Sequence, residues 1–152
     1  MDIRTIKSRK AKYTYGLATK THFVKGRHRD DKKEFTGDQV RCKDIFSVHV
    51  EKGQTLESEE AQIEKCYNPV ELDQKEIIFQ FYISDTQHPM YITDSGCTHI
   101  GKIKVLIPDI SGGLDRPVKV SITFGRTELK VKVVEQKTNK ATMVKLQFLD
   151  NN

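Results

Sequence analysis

No apolar run in the sequence approaches the ~18 residues needed to cross a bilayer as a helix. The first residues also lack the apolar stretch of a secretory signal. Cysteine is scarce: Cys42, Cys66 and Cys97 are too few and too scattered for a disulfide framework, which argues for a reducing, cytoplasmic setting. Catalytic signatures are missing as well. Histidines 22, 28, 49, 88 and 99 form no HxxxH or HExxH pair, and Cys97-x-His99 falls short of the four ligands a zinc site usually draws on. There is no Gly-x-Ser-x-Gly elbow, Walker loop or paired-glycine nucleotide fingerprint. Asp30-Asp31 and Glu59-Glu60 are carboxylate pairs, but their charged surroundings read as solvated surface, where nothing shifts an acid toward catalytic use. Neither catalysis nor a bound metal is expected, and no internal repeat or low-complexity tract is present.

What the chain does have is alternation. Its 152 residues suit one domain, and 36% hydrophobic with 31% charged residues describe a modest core under a strongly charged surface. The net charge of +5 is uneven: Arg4, Lys7, Arg9, Lys10 and Lys12 against Asp2 put +4 into residues 1–12. The rest is almost neutral, so a solvated tail is the simpler reading and no nucleic-acid partner is expected. From Pro117 onward Val118, Val120, Ile122 and Phe124 alternate with Lys119, Ser121 and Thr123. Leu129, Val131 and Val133 then alternate with Lys130, Lys132 and Val134, and Met143 to Phe148 closes the set. Period-2 patterns joined by polar turns predict an antiparallel meander with one buried face.

Earlier in the chain, Tyr13–Phe23 reads as a strand in which Gly16 marks a bulge or a close backbone approach. Val24–Asp44 carries seven bases and five acids without apolar period, and is expected to be a long charged loop. Ile45–Val50, Glu59–Tyr67, Glu76–Ser84 and Thr98–Ile107 complete the strands. Glu76–Ser84 has apolar or aromatic groups on both faces, which suits a central position. Eight strands and no sustained helix predict an all-β fold, an antiparallel β-sandwich. Phe79, Phe81, Phe124 and Phe148 fit its core, whereas Tyr13, Tyr15, Tyr67 and Tyr91, nearer strand ends, are placed to line a pocket.

Several segments resemble the β-sandwich substrate-binding domain of the 70-kDa heat-shock chaperones, in particular the divergent subfamily twelve. They are Thr14-Tyr15-Gly16, Phe23-Val24-Lys25-Gly26, Ile92-Thr93-Asp94-Ser95-Gly96, Gly101, Phe124-Gly125-x-Thr127-Glu128 and the turn Lys137-Thr138-Asn139-Lys140. They occur in order over nearly the whole chain. The resemblance implies a peptide-binding module in residues 13–150, with residues 1–12 a basic interdomain linker remnant or sequence foreign to the domain. It implies no helical lid. A nucleotide-binding domain using ATP and magnesium would belong to the full-length protein, with no cofactor in this part.

By the same resemblance, an extended polypeptide client lies between two loops, with an apolar side chain in a pocket. Leu17 and Thr19 match one wall, Ile77 and Phe79 the central strand, Val118 the strand opposite, and Tyr67 the arch over the peptide. Lys20 and Glu64 replace apolar and aromatic family residues, and are expected to face each other as a charged pair across the groove. Two alternatives stand beside client binding. One is a regulatory or scaffold domain that meets a specific protein partner through the charged loop. The other is recognition of an anionic glycan or lipid headgroup by Arg27, Arg29, Lys32 and Lys33.

Overall fold

The computed structural model describes residues 8–57, 62–124 and 128–147. Among them are eleven strands: β1 Ser8–Lys10, β2 Thr14–His22, β3 Lys33–Thr36, β4 Gln39–Val50, β5 Thr55–Glu57, β6 Gln62–Tyr67, β7 Glu76–Ser84, β8 Cys97–Leu106, β9 Val118–Phe124, β10 Glu128–Glu135 and β11 Lys140–Gln147. All pairings within the sheets are antiparallel. One sheet has the order β11-β10-β9-β6, the other β3-β4-β2-β7-β8, and β1 with β5 makes a small third pair. The fold is an all-β antiparallel sandwich, and no helix among the described residues is long and apolar enough to cross a membrane.

The alternating runs do what period 2 requires. Val118, Val120, Ile122 and Phe124 of β9 and Leu129, Val131 and Val133 of β10 point inward and are buried. They meet Leu17, Phe79, Phe81, Ile103 and Val105 from the facing sheet in one core cluster. Each such aliphatic or aromatic side chain contributes about 1.5–3 kcal/mol by leaving water, so this shared layer holds the two sheets together. β7 lies between β2 and β8, an interior position, as its two-faced apolar pattern predicts.

Gly16 sits where the backbone requires it. The β2–β4 register shifts between Tyr15 and Gly16, and a Cβ on Gly16 would lie 2.1 Å from the Ser47 carbonyl oxygen. The neighbouring Phe46 ring covers the same spot.

Three expectations need correction. The strand count rises from eight to eleven, because short or exposed strands leave little alternation to read. Val24–Asp44 is not a continuous loop: a 3-10 turn at Asp30–Lys32 leads into β3, which pairs with the first half of β4 around a turn at Gly37 (φ 59°). That hairpin projects with both faces largely exposed, so no apolar period marks it. Two of the tyrosines assigned to a pocket are core-like instead. Tyr15 packs edge-on against Phe124 at 5.0 Å, and Tyr91 is buried under a lysine.

The basic N-terminal stretch joins the fold from residue 8. Ser8–Lys10 pairs with Thr55–Glu57, an Arg9 guanidinium nitrogen donates to the Phe124 carbonyl at 2.5 Å, and Ala11 is buried in the core cluster. Glu59-Glu60, Gly125 to Thr127 and Phe148 lie outside the described residues.

Candidate functional site

The five-stranded sheet forks. β2 and β7 pair only through Thr14–Leu17 against Phe81–Ser84. Beyond that point β2 follows β4, with Ala18 opposite Phe46, Thr19 opposite Ile45 and His22 opposite Arg41. Residues 76–80 of β7 stay paired to β8 alone. Residues 18–22 and 76–80 therefore have no strand partner on the edges turned toward each other among the described residues. Edges of this kind carry backbone donors and acceptors that an extended peptide can pair with.

Most of the predicted pocket residues surround this fork, but as packed core rather than open cleft. Leu17 and Val118 are fully buried, Phe79 nearly so, and Ile77 is half-buried against the same cluster. Thr19 is half-buried on β2. Lys20 and Glu64 do not meet across a groove. Lys20 pairs with Glu34 of the β3–β4 hairpin, whereas Glu64 accepts from Ser121 Oγ at 3.3 Å and lies 3.9 Å from Lys119. The reason is strand polarity: on β6, Ile63 and Tyr67 pack inward, so Glu64 projects to the solvent face of its sheet.

Tyr67 reaches over Phe79, with ring centroids 5.6 Å apart. Its hydroxyl lies 2.7 Å from His49 Nε2 and 3.2 Å from Ser47 Oγ, linking β6 to β4 across the seam between the sheets. Lys65 adds a second link by donating to the Val48 carbonyl. This seam is polar and partly to fully buried. Burial pushes the Tyr67 phenol up to about 12, against a smaller opposing effect of the Ser47 hydrogen bond. Burial, reinforced by the nearby Lys65 charge, brings His49 down to about 4, so its imidazole is neutral at pH 7. Burial also lowers the Lys65 ammonium. His49 Nδ1 is buried and has no hydrogen-bond partner among the described residues. Sequence reading missed His49 and Ser47, because alternation says which face they share but not what stands opposite.

The charged segment is largely spent on its own structure. Lys32 is buried, donating to Thr93 Oγ1 at 2.7 Å and to Asp44 at 3.2 Å with its ammonium 5.3 Å from the Tyr91 ring centre. Arg29 bonds Asp31 at 2.6 Å. Lys33 stands 4.9 Å from the centre of the Phe23 ring and 3.8 Å from Asp30. Of the four cations assigned to an external partner, Arg27 alone has no ion-pair partner among the described residues. Asp44 holds Lys32 from a left-handed backbone position (φ 60°), a role the sequence did not indicate.

The strand order and the fork define an antiparallel β-sandwich domain with two strand edges left without a backbone partner among the described residues. No family model matches it. In sequence it is a relative of the heat shock 70 kDa protein 12 family. It is 26% identical to human heat shock 70 kDa protein 12B over 154 residues, which is 96% of this chain and 22% of that protein. Human heat shock 70 kDa protein 12A is 26% identical over 99% of the chain, and the mouse 12A protein 29% over the same share. The chain thus spans about 22% of the length of the curated relatives it matches.

Proposed function

We propose that this sandwich is a polypeptide-binding domain of a heat-shock-70-like protein, which receives an extended segment at the fork between β2 and β7. The fork is the observation that carries the reading. It offers two strand edges side by side, with Thr19 and Lys20 on one and Ile77 and Phe79 on the other. Main-chain hydrogen bonds along such edges supply affinity without sequence preference, and the half-buried Ile77 offers an apolar contact for one client side chain. Tyr67 stands as the arch, fixed by His49 and Ser47 rather than by a facing charge. In this reading the domain carries no catalysis itself, and ATP with magnesium belongs to a nucleotide-binding domain of the longer relatives. The setting is cytoplasmic and chaperone-like.

The test is fluorescence anisotropy with a labelled, uncharged leucine-rich peptide against the whole chain and Ile77→Asp. Binding by the wild type, weakened about tenfold or more when a carboxylate enters the apolar contact, supports the reading. No binding at any soluble concentration would overturn it. A second reading is then favoured, a regulatory or scaffold domain for one protein partner. The closed packing of Leu17, Phe79 and Val118 is the observation behind that alternative.

A further inference from the structure

A groove of about 470 Å³ lies between the end of β2 (Thr21, His22), the middle of β4 (Ile45, Phe46) and two loops, Val24–His28 and Pro89–Met90. Its apolar lining is Val24, Ile45, Phe46, Pro89 and Met90, and Met90 is 41% exposed. Its polar lining includes His22, Arg27 and His28, and no acidic side chain among the described residues lines it. Arg27 has no ion-pair partner among the described residues, whereas Arg29, Lys32 and Lys33 of the same segment each have a carboxylate.

Both walls are held in place. Val24 accepts backbone hydrogen bonds from Arg27 at 3.1 Å and from His28 at 2.9 Å. The Val24 amide donates to His28 Nδ1 at 2.9 Å, so the neutral imidazole keeps its proton on Nε2 as a free donor. On the other side Phe46 N–H donates to the Met90 carbonyl, and the Asp94 carboxylate accepts from the amides of Met90 and Tyr91. A rigid site loses little entropy on binding.

We propose that this groove is a second docking site, which takes a short polypeptide segment bearing an apolar side chain beside carboxylates. The apolar side chain covers Ile45, Phe46 and Met90. A carboxylate meets the guanidinium of Arg27, whose planar donor pair matches it, and a second accepts from His28 Nε2. The volume lies within the range of sites for small ligands, and the open groove has room for a continuing chain. The groove shares Thr21 and His22 with the β2 edge of the fork, but none of its lining lies on β7, so substitutions on β7 and in the groove address the two sites separately.

The probe is a short fluorescein-labelled peptide, a leucine pair flanked by aspartates and glutamates, titrated into the whole chain. Its counterpart carries asparagines and glutamines instead. The acidic peptide is expected to bind and to shift the amide signals of Val24, Arg27, His28, Phe46 and Met90. Arg27→Glu and Met90→Asp, both at exposed positions, should each weaken it about tenfold or more, and the amide counterpart should bind as weakly as the variants see the acidic one. Ile77→Asp should leave this binding unchanged, which separates it from the fork. Equal affinity for the two peptides, indifference to Arg27→Glu, or amide shifts confined to other regions would overturn the proposal. So would inorganic phosphate or decanoate moving the same amides and displacing the peptide at equal concentration, since the site would then be a plain anion or amphiphile site.

Discussion

Replacing His49 with glutamine should flatten the acid sensitivity of the fold. His49 is 6% exposed, faces Ser47 on its own strand and Tyr67 with Lys65 on β6, and is held neutral at about 4 against an ordinary 6.5. As pH falls, the unfolded chain takes up this proton first, because its imidazole titrates at the higher value. Stability linked to His49 is therefore complete above pH 6.5, falls by about 1.4 kcal/mol per pH unit below it, and is lost by pH 4. The difference comes to about 2 kcal/mol at pH 5 and about 3 kcal/mol at pH 4. In a domain of this size the loss at pH 5 corresponds to a fall of about 4–8 °C in Tm. Glutamine keeps a polar group against the Tyr67 hydroxyl but cannot titrate. Urea melts at pH 7.5 and pH 5 on both proteins would read the effect, with the wild type losing about 2 kcal/mol more than the variant. The carboxylate of Asp109, which the Lys137 and Ser111 hydrogen bonds hold below the usual range, lies at the surface and loses its contribution only at lower pH. An NMR titration of the His49 ring gives an independent reading. An imidazole that titrates near 6.5, or an equal acid loss in the variant, would refute the argument.

Two further outcomes rest on named contacts. Arg116 is buried and donates to the carbonyls of Gly113 at 2.6 Å, Ile107 at 3.2 Å, Leu72 at 3.3 Å, and Asp109 and Glu71 at 3.4 Å, tying two loops together. Arg116→Met should cost about 2–4 kcal/mol in a urea melt and hasten chymotryptic cleavage near Leu72, with Arg116→Lys recovering part; an unchanged melt would refute the clamp. Gly16→Ala must displace the Ser47 carbonyl or the Phe46 ring, and should lower stability by about 1–3 kcal/mol or more. A variant as stable as the wild type would mean that the β2–β4 crossing at Gly16 is looser than 2.1 Å implies.

Alternation alone determined the meander of β9 to β11, the interior place of β7 and the close approach at Gly16, because a strand's period assigns each side chain to a face whatever lies beyond it. The family resemblance likewise needed only local segments in order. Partners across space were a different matter. Lys20 reads as the counterpart of Glu64 until strand polarity sends them to Glu34 and to Ser121. The seven bases and five acids of Val24–Asp44 read as free charge until folding brings Asp44, Thr93 and Tyr91 around Lys32. His49 and Tyr67 stand 18 residues apart on strands of different sheets, and their contact has no local signal. The fork is also tertiary, since β2 and β7 keep strand patterns along their whole length and part only because β2 follows β4. A face follows from local stereochemistry, whereas a partner, a gap or a shifted proton depends on how separate strands are brought together.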